Sequence, residues 1–226
     1  MDITHLAQST LRIINDMGQV MLIDPGKYNL DMGIMDTPEL LQADIVVITH
    51  RHADHFSSEI MSAIADQSKD ALVIVQKDMR DAIEELGVPV RVVETGDIIR
   101  ESGFAVKIKK AIHVVRGEEI PCFGIVVEAG GKRIFFTSDT NYITRDELKL
   151  DSTIDWIVLP FSGRGVTMNA DEACELVKNI NPVGVIPVHY DSPKDSHLDP
   201  DAFALRIEME TGSRAVVLRY GETLEV

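Results

Sequence analysis

Three of the seven histidines of this 226-residue chain stand within one six-residue stretch. The stretch reads HRHADH and contains His50, His52 and His55, with Asp54 directly before the third histidine. Imidazole nitrogens and a carboxylate are the donors that hold zinc and similar ions in proteins. With this composition, a match to His-x-His-x-Asp-His arises by chance in about one chain in a thousand or fewer. The stretch therefore predicts a metal site, and a surface turn with accidental histidines is the alternative.

The cluster stands where a strand is predicted to end and a helix to begin. A mostly β-branched segment precedes it, and helical periodicity follows over residues 57–66. Alternate residues of an extended strand point to the same side, so His50 and His52 are expected to project together. The turn that follows can bring Asp54 and His55 into the same space.

Three more candidate ligands also stand at strand ends. His113 follows FAVKIKKAI, Asp139 ends RIFFTSD and His189 ends VGVIPVH. Taken singly, each has an ordinary explanation, because a lone histidine after a strand is more often a hydrogen-bonded loop residue and Asp139 could cap a turn. Taken together, they supply three similarly placed ligands for one pocket.

Residues around these ligands are candidates for supporting roles. Asp24 precedes Pro25-Gly26, which by itself indicates an ordinary turn residue. Thr49 and Thr140 flank candidate ligands and are candidates to orient them, although β-branched residues are common in strands without such a role.

Two residues are candidates for substrate contact. Arg164 lies in the glycine-rich segment FSGRGVTM after a predicted strand, where it could hold an anionic group by a bidentate contact. A flexible connector with an exposed arginine is the alternative. Tyr190 follows His189 directly, and it could either donate a hydrogen bond to a substrate oxygen or cover the core.

The two remaining histidines are interpreted as structural. His5 lies in an amphipathic first strand. His197 lies in DSHLDPD, the lead-in to the last predicted helix, where Asp199 is a natural N-cap before Pro200 at the first helical position.

The pattern along the chain predicts a fold with more than twice as many strands as helices. Extended segments are predicted at 10–15, 19–23, 45–49, 71–76, 90–93, 104–111, 122–129, 132–137, 155–159, 183–188 and 214–219, and helices at 57–66, 77–86, 169–180 and 200–210. Tight turns at 16–18 and 130–132 predict antiparallel hairpins, whereas 45–49, 154–159 and 183–188 each feed or follow a helix. This mixture predicts an α/β fold in which two sheets pack face to face with helices on their outer faces.

Composition predicts a single soluble domain over residues 1–226. The chain is 45% hydrophobic and long enough to bury a sizeable core. Its first residues lack the basic start and continuous apolar core of a signal peptide, and no apolar run reaches the roughly 18 residues of a membrane span. We therefore expect a cytoplasmic protein without membrane contact. Cys122 and Cys174 are too few for a disulfide framework and are expected to be buried thiols.

The charge balance argues against nucleic acid as a partner. The chain carries 37 acidic and 22 basic residues, a formal net charge of −15, and its densest basic cluster is KIKK at 107–110. Such a surface repels phosphate backbones, so the expected partner is a small-molecule substrate.

These residues, in this order, resemble the five motifs of the metallo-β-lactamase superfamily. The matching elements are Asp24 in MLIDPG, the His50/His52/Asp54/His55 cluster, His113, Asp139 in FFTSDT and His189 in VIPVHYD. Within the superfamily the chain looks most like the small, arm-free metal-dependent hydrolases related to ascorbate-6-phosphate lactonase, on the segments LPFSGRGVTMNADEA and VIPVHY. One departure is Gln8 in LAQST, where those proteins commonly carry the histidine of a Gly-His-Ser element.

The resemblance implies a four-layer αββα sandwich and a site with two divalent metal ions. By this resemblance, His50, His52 and His113 would bind one ion, Asp54, His55 and His189 would bind the other, and Asp139 would bridge the two. Asp24 would accept a hydrogen bond from a ligand histidine and determine its tautomer. All these donors are nitrogen or oxygen, so zinc is expected first, manganese second, and iron stays open.

The activity implied by this arrangement is hydrolysis. Two ions about 3.5–4 Å apart lower the pKa of a shared water and provide a bridging hydroxide near neutral pH. Asp54 and Asp139 would be the catalytic carboxylates. The expected substrate is an ester, lactone or phosphodiester of a small metabolite, expected to be anionic.

Other functions on the same scaffold stay open at this stage. Iron-dependent oxygen chemistry, as in sulfur dioxygenases, agrees with the ligand motif. Diiron oxygen and nitric-oxide reductases fit less well, because they usually carry glutamate at the position of His52 and a flavin domain that 226 residues cannot hold. Nuclease relatives need a basic arm or an RNA-binding domain, which this chain lacks. A non-catalytic metal-binding protein is the last alternative. Relatives with this fold often form homo-oligomers, so the chain is also a candidate homo-oligomer.

Overall fold

The computed structural model describes residues 1–35, 37–191 and 198–226. The chain divides into two compact units, one formed by Met1–Phe104 with Leu218–Val226 and the other by Ala105–Val217. Each unit is described by itself below, and the single-domain expectation stays a prediction.

Sixteen strands and seven helices are numbered here in chain order over the described residues. They are β1 (Asp2–His5), β2 (Leu11–Ile14), β3 (Val20–Ile23), α1 (Tyr28–Asp31), α2 (Pro38–Leu41), β4 (Ile45–Val47), α3 (Ser58–Gln67), β5 (Leu72–Val75), a 3-10 turn (Lys77–Met79), α4 (Arg80–Glu84), β6 (Val90–Val92), β7 (Ile98–Glu101), β8 (Phe104–Lys110), β9 (His113–Val115), β10 (Glu118–Ile120), β11 (Phe123–Ala129), β12 (Lys132–Phe136), α5 (Arg145–Leu148), β13 (Trp156–Pro160), α6 (Ala170–Ile180), β14 (Gly184–Val188), α7 (Pro200–Thr211), β15 (Arg214–Ala215) and β16 (Thr223–Glu225).

The first unit is built on a mixed sheet with the strand order β16-β1-β2-β3-β4-β5-β6. Strands β16 to β3 pair antiparallel, and β3 to β6 pair parallel. Helix α3 buries Ile60, Met61 and Ile64, which its 3.6-residue period brings to one face. These side chains belong to the same buried cluster as Leu22 and Val46 of the sheet, so the helix covers the strands that carry the HRHADH segment.

The second unit contains a second mixed sheet, whose strands within this unit follow the order β15-β14-β13-β12-β11-β8. Strands β8, β11 and β12 pair antiparallel, and β12 to β15 pair parallel. Strands β13 and β14 are buried along their whole length, as expected for parallel strands covered on both faces. Helix α6 begins with a capping box between Asn169 and Glu172, and its buried face includes Leu176 and Val177.

The parallel strands determine where the candidate ligands stand. Carboxyl ends of parallel neighbours meet at one edge of a sheet. In the first unit, Asp24 follows β3 and the HRHADH segment follows β4. In the second unit, Asp139 follows β12, segment 161–168 follows β13 and His189 follows β14.

The predicted elements agree closely with this structure. Each predicted extended segment overlaps a strand, each predicted helical segment overlaps a helix, and the turns at 16–18 and 130–132 join antiparallel strands. The elements that the sequence pattern missed, such as β9, β10 and α5, are three or four residues long. So short a segment has too few side chains to display a period, and its structure depends on tertiary contacts.

The two cysteines differ from one another in burial. Neither forms a disulfide. Cys174 is buried in α6, and this burial raises the pKa of its thiol. The expectation of a buried thiol is therefore correct for Cys174 but wrong for Cys122, which is half-buried because it lies in the loop before β11 and not within a covered element.

Among the helices of the described ranges, none combines the length and the apolar composition that a membrane crossing requires.

The capping prediction for the last helix is confirmed. The Asp199 side chain accepts hydrogen bonds from the backbone N–H groups of Asp201 and Ala202 at 3.1 and 3.0 Å, and Pro200 occupies the first turn. Asp199→Ala is expected to lower the free energy of unfolding by about 1 kcal/mol, because two N–H groups lose their acceptor. Urea denaturation measures the change. Asp199→Asn keeps the acceptor and serves as the control, so an equal loss in both variants would contradict the capping role.

Candidate metal centre

A tight turn brings the four residues of the HRHADH cluster together in the first unit. The backbone N–H groups of His55 and Phe56 both donate to the carbonyl oxygen of His52, at 2.9 and 2.8 Å. This turn folds His55 back against His50, with 4.0 Å between the ring centroids. His50 Nε2 lies 3.1 Å from His52 Nδ1, and Asp54 Oδ2 lies 3.9 Å from His55 Nε2.

Asp24 orients this cluster from a buried position. Its Oδ1 accepts the backbone N–H of Thr49 at 2.7 Å. Its Oδ2 accepts the Thr49 hydroxyl at 2.8 Å and Nδ1 of His55 at 2.7 Å. The facing carboxylate can only accept, so Nδ1 of His55 carries the proton and Nε2 is the nitrogen that can bind a metal.

The same carboxylate acts on His50 through Thr49. The single hydroxyl proton of Thr49 is donated to Asp24, so Thr49 Oγ1 accepts from Nδ1 of His50 at 3.2 Å. Nε2 of His50 is then unprotonated, and its lone pair lies on the side of the ring that faces His52. Asp24 therefore determines the tautomers of two candidate ligands, one directly and one through a hydroxyl.

A glycine allows the Asp24 turn to approach the cluster. Lys27 N–H donates to the carbonyl oxygen of Ala53 at 2.7 Å, which joins the two segments. A Cβ atom placed on Gly26 would lie only 1.9 Å from the carbonyl oxygen of Asp54. Glycine is therefore required at position 26 for the two turns to lie this close.

Two further candidate ligands meet in the second unit. His189 Nε2 lies 3.4 Å from Asp139 Oδ2, and both residues are buried. His189 itself and Ser138, next to Asp139, have left-handed backbones, with φ of 60° and 58°. Non-glycine residues rarely adopt this conformation, and such strain is concentrated at functional sites.

His113 is oriented by the loop that follows β13. Its Nδ1 lies 2.9 Å from the carbonyl oxygen of Val166, and the residue is buried. A carbonyl oxygen can only accept, so Nδ1 carries the proton and Nε2 is the nitrogen that can bind a metal.

Thr140 connects the segments around His113 and Asp139 with segment 161–168. Its hydroxyl oxygen accepts the backbone N–H of Ile112 at 2.9 Å, one residue before His113. Its carbonyl oxygen accepts the backbone N–H of Met168 at 2.8 Å. Thr140, which directly follows Asp139, is thus hydrogen-bonded both to the segment that precedes His113 and to segment 161–168.

The segment around Arg164 is a hydrogen-bonded turn. Thr167 Oγ1 accepts the backbone N–H of Gly163 at 3.1 Å and lies 2.9 Å from Ser162 Oγ. Gly163, Arg164 and Gly165 all have positive φ, and Arg164 is exposed. This internal bonding argues against a flexible connector, and it presents the arginine at the surface of the turn.

Tyr190 is packed in a hydrophobic cluster, unlike the candidate ligands. The ring of Tyr190 belongs to the buried hydrophobic cluster of the second unit, 6.3 Å from the ring of Phe161. The packing of this ring corresponds to the core-covering interpretation. His197 lies outside the described residues.

Two buried polar residues beside Asp24 were missed by the sequence analysis. Thr10 and Asn29 are fully buried and hydrogen-bond to the Asp24 turn. Thr10 lies 14 residues from Asp24 and 19 from Asn29 along the chain. No local spacing links residues so far apart, so only the fold could identify them.

The donor chemistry of each unit fits a divalent metal ion. In the first unit, ligand atoms of His50 and His52 lie within 4.8 Å of one another, as do those of Asp54 and His55. These donors are imidazole nitrogens and carboxylate oxygens, the set that zinc, manganese and iron accept.

Solved structures of known proteins share the fold of this chain. Igni18, described as a metallo hydrolase from Ignicoccus hospitalis, superposes with a TM-score of 0.81 over 100% of this chain and 98% of that protein, at 22% sequence identity. At this identity the likeness shows the fold. The α/β fold with two mixed sheets and helices, which the sequence predicted, is thereby confirmed.

Sequence relatives define the family. The model described as "Beta-lactamase superfamily domain" matches residues 2–189. A UPF0173 metal-dependent hydrolase of Symbiobacterium thermophilum is 32% identical over 215 residues, covering 89% of this chain and 93% of that protein. One from Thermus thermophilus is 28% identical, covering 100% of this chain and 99% of that protein. The chain belongs to the β-lactamase superfamily and, within it, to the UPF0173 metal-dependent hydrolases.

Proposed function

We propose that this protein hydrolyses an ester, lactone or phosphodiester bond of a small anionic metabolite at a centre of two divalent metal ions. Membership in a family of metal-dependent hydrolases supports the reaction class. The observation that carries the proposal is the orientation of His50, His55 and His113. Each of them directs Nδ1 to an acceptor within its own unit, which leaves Nε2 as the metal-binding nitrogen in all three.

Seven residues are assigned as ligands in this proposal. One ion would be held by His50, His52 and His113 and the other by Asp54, His55 and His189, and Asp139 would serve both. Zinc is the first choice and manganese the second. Both ions accept nitrogen and oxygen donors, so the order of metal affinities and the metal supply decide between them.

The residues of the chain would divide the work of hydrolysis among themselves. When bound, two ions lower the pKa of a water so that hydroxide is available near neutral pH. Asp139 is buried, and its negative charge would help to hold both ions. The Asp54 side chain is 25% exposed, and we assign it to accept the proton that the attacking water loses. Asp24 keeps the ligand histidines in one tautomer during turnover.

Arg164 is assigned to the anionic part of the substrate. Arg164→Ala is expected to raise KM by roughly 10- to 100-fold, with kcat and metal content unchanged, because a charge-assisted hydrogen bond contributes about 1.5–3 kcal/mol. Steady-state kinetics with an anionic phosphodiester measures the change. Arg100→Ala removes the same charge from an exposed position on β7 and serves as the control. An unchanged KM, or a loss of metal, in Arg164→Ala would contradict this role.

Tyr190 is the second candidate for substrate contact, and its buried ring restricts that role. The residue is 8% exposed, so a substrate could reach only the edge of the side chain.

Metal analysis coupled to turnover tests the function directly. The protein is purified without chelator or affinity nickel, its metal content per chain is measured, and a phosphodiester and a lactone reporter are assayed. Close to two zinc or manganese ions per chain, with turnover that a chelator abolishes, supports the proposal. One iron per chain without hydrolysis would replace it with oxygen chemistry. Metal without any turnover would indicate a non-catalytic binding protein, and a protein without metal would overturn the proposed centre.

A further inference from the structure

We propose that Thr10 and Asn29 are positioning residues that hold Asp24 in place and, through it, His55. The inference rests on the proposed function, because His55 is a metal ligand there. Neither residue is part of the ligand set. Both act one step behind Asp24, which itself accepts a hydrogen bond from His55 Nδ1 at 2.7 Å.

The contacts form a short network of fixed direction. The Thr10 hydroxyl donates to the carbonyl oxygen of Asp24 at 2.5 Å. Asn29 Nδ2 donates to Thr10 Oγ1 at 2.7 Å and to the carbonyl oxygen of Gly26 at 2.9 Å. Both carbonyl oxygens can only accept, so the Thr10 proton must point to Asp24 and the amide nitrogen of Asn29 must face Gly26. No alternative arrangement of the protons satisfies all three bonds.

The backbone at Asp24 needs such support. Asp24 has φ of 50°, a left-handed conformation that non-glycine residues adopt infrequently, aspartate more readily than most. Thr10 holds the carbonyl group of this strained residue, and Asn29 holds the carbonyl group two residues later. Thr10 and Asn29 are both 0% exposed, and hydrogen bonds are stronger in such an interior than in water.

Both residues are themselves anchored to rigid backbone. Leu6 N–H donates to the carbonyl oxygen of Thr10, and Thr10 N–H donates to that of Ala7, at 3.0 and 2.8 Å, which closes the loop before β2. Asn29 lies in α1, and its own carbonyl oxygen accepts the N–H of Ile34 at 2.8 Å. The network therefore joins three segments of the first unit at the turn that carries Asp24.

The consequence for the site is geometric. Asp24 Oδ2 determines both the tautomer and the ring orientation of His55. If the turn relaxes, the carboxylate moves away from Nδ1, and His55 no longer offers Nε2 in a fixed direction. Loss of either positioning residue should therefore weaken metal binding without removing any ligand.

A pair of variants at Thr10 separates this role from simple packing. Thr10→Val has nearly the same shape but no hydroxyl, whereas Thr10→Ser keeps the hydroxyl. We expect Thr10→Val to weaken binding of one of the two zinc ions by about 10- to 100-fold, measured by competition with a chromophoric chelator. Thr10→Ser is expected to stay within about threefold of the wild type, since it preserves all three hydrogen bonds.

A second measurement uses the metal-free protein. Nitrogen-15 NMR of histidine side chains reports the protonated Nδ1 of His55, with His55→Gln identifying the signal. We expect a hydrogen-bonded Nδ1–H signal in the wild type and Thr10→Ser, and its loss in Thr10→Val. This readout does not depend on metal. A wild-type protein that binds neither zinc nor manganese but shows the signal would refute the proposed function and leave the positioning role intact.

Two outcomes would overturn the positioning role. One is Thr10→Val with wild-type zinc affinity and an intact His55 signal. The other is a Thr10→Ser variant as impaired as Thr10→Val, which would show that shape matters and the hydroxyl does not. If Thr10→Val does not fold, Asn29→Ala removes the other two bonds and takes its place. Unchanged zinc affinity and His55 signal in Asn29→Ala would then refute the inference.

Discussion

Asp139→Asn is expected to reduce bound metal from about two ions to about one per chain and to lower kcat/KM by more than about 100-fold. Asparagine has nearly the same shape as aspartate but lacks the charge that we assign to both ions. Asp139 is buried, and its Oδ2 lies 3.4 Å from His189 Nε2. Because this position is enclosed, water cannot compensate at low cost for the lost negative charge. Elemental analysis and steady-state kinetics on the same preparation measure both effects.

The control for this variant removes the same charge from the surface of the same unit. Asp151 has a side chain that is 63% exposed and pairs with Lys107 at 3.2 Å. Asp151→Asn is expected to keep full metal content and turnover, because exposed ion pairs contribute little. If Asp139→Asn kept two ions per chain and full turnover, Asp139 would have no bridging role.

Gly26→Ala is expected to lower the free energy of unfolding by about 3 kcal/mol or more. It is also expected to abolish binding of the ion that we assign to Asp54, His55 and His189. The added methyl group would lie 1.9 Å from the carbonyl oxygen of Asp54 and 2.2 Å from its carbonyl carbon. Both are backbone atoms, so no side-chain rotation can relieve the collision. The turn that carries Asp24 would have to move away from the cluster that Asp24 orients. Urea denaturation and metal analysis measure the two effects.

Gly33→Ala is the matched control. A Cβ at position 33 would meet no atom within 4 Å, but the backbone there has φ of 64°. Alanine at Gly33 is therefore expected to cost about 1 kcal/mol of stability through backbone strain alone and to leave metal content unchanged. Equal effects of the two substitutions would show that the close approach at Gly26 has no special importance.

Much of the fold could be predicted from local patterns. Strands such as β8 and β11 alternate or run apolar over seven residues, and helix α6 has a clear buried face, so their periods are visible in the sequence. The hairpin β9–β10, which begins with His113, was not predicted because its strands are only three residues long. The sequence pattern thus placed His113 at the end of a strand, whereas in the structure His113 begins a new one.

Candidate ligands could be recognised in the sequence for the same local reason. Polar side chains directly after apolar strands contrast with the residues before them, so HRHADH, Asp139 and His189 are easily recognised in the sequence. Thr10, in a loop, and Asn29, in the four-residue helix α1, do not stand out, because isolated polar residues in such short segments resemble ordinary turn residues. Their importance depends on which backbone groups they contact.

The sequence by itself determined which residues offer metal-binding atoms and that they follow buried strands, because residue type and hydrophobic period are local properties. The tertiary structure decided which nitrogen each histidine can offer. His55 receives its tautomer from Asp24, 31 residues away, and His113 from Val166, 53 residues away. A proton on imidazole is placed by its hydrogen-bond partner, and only the folded chain brings such distant partners together.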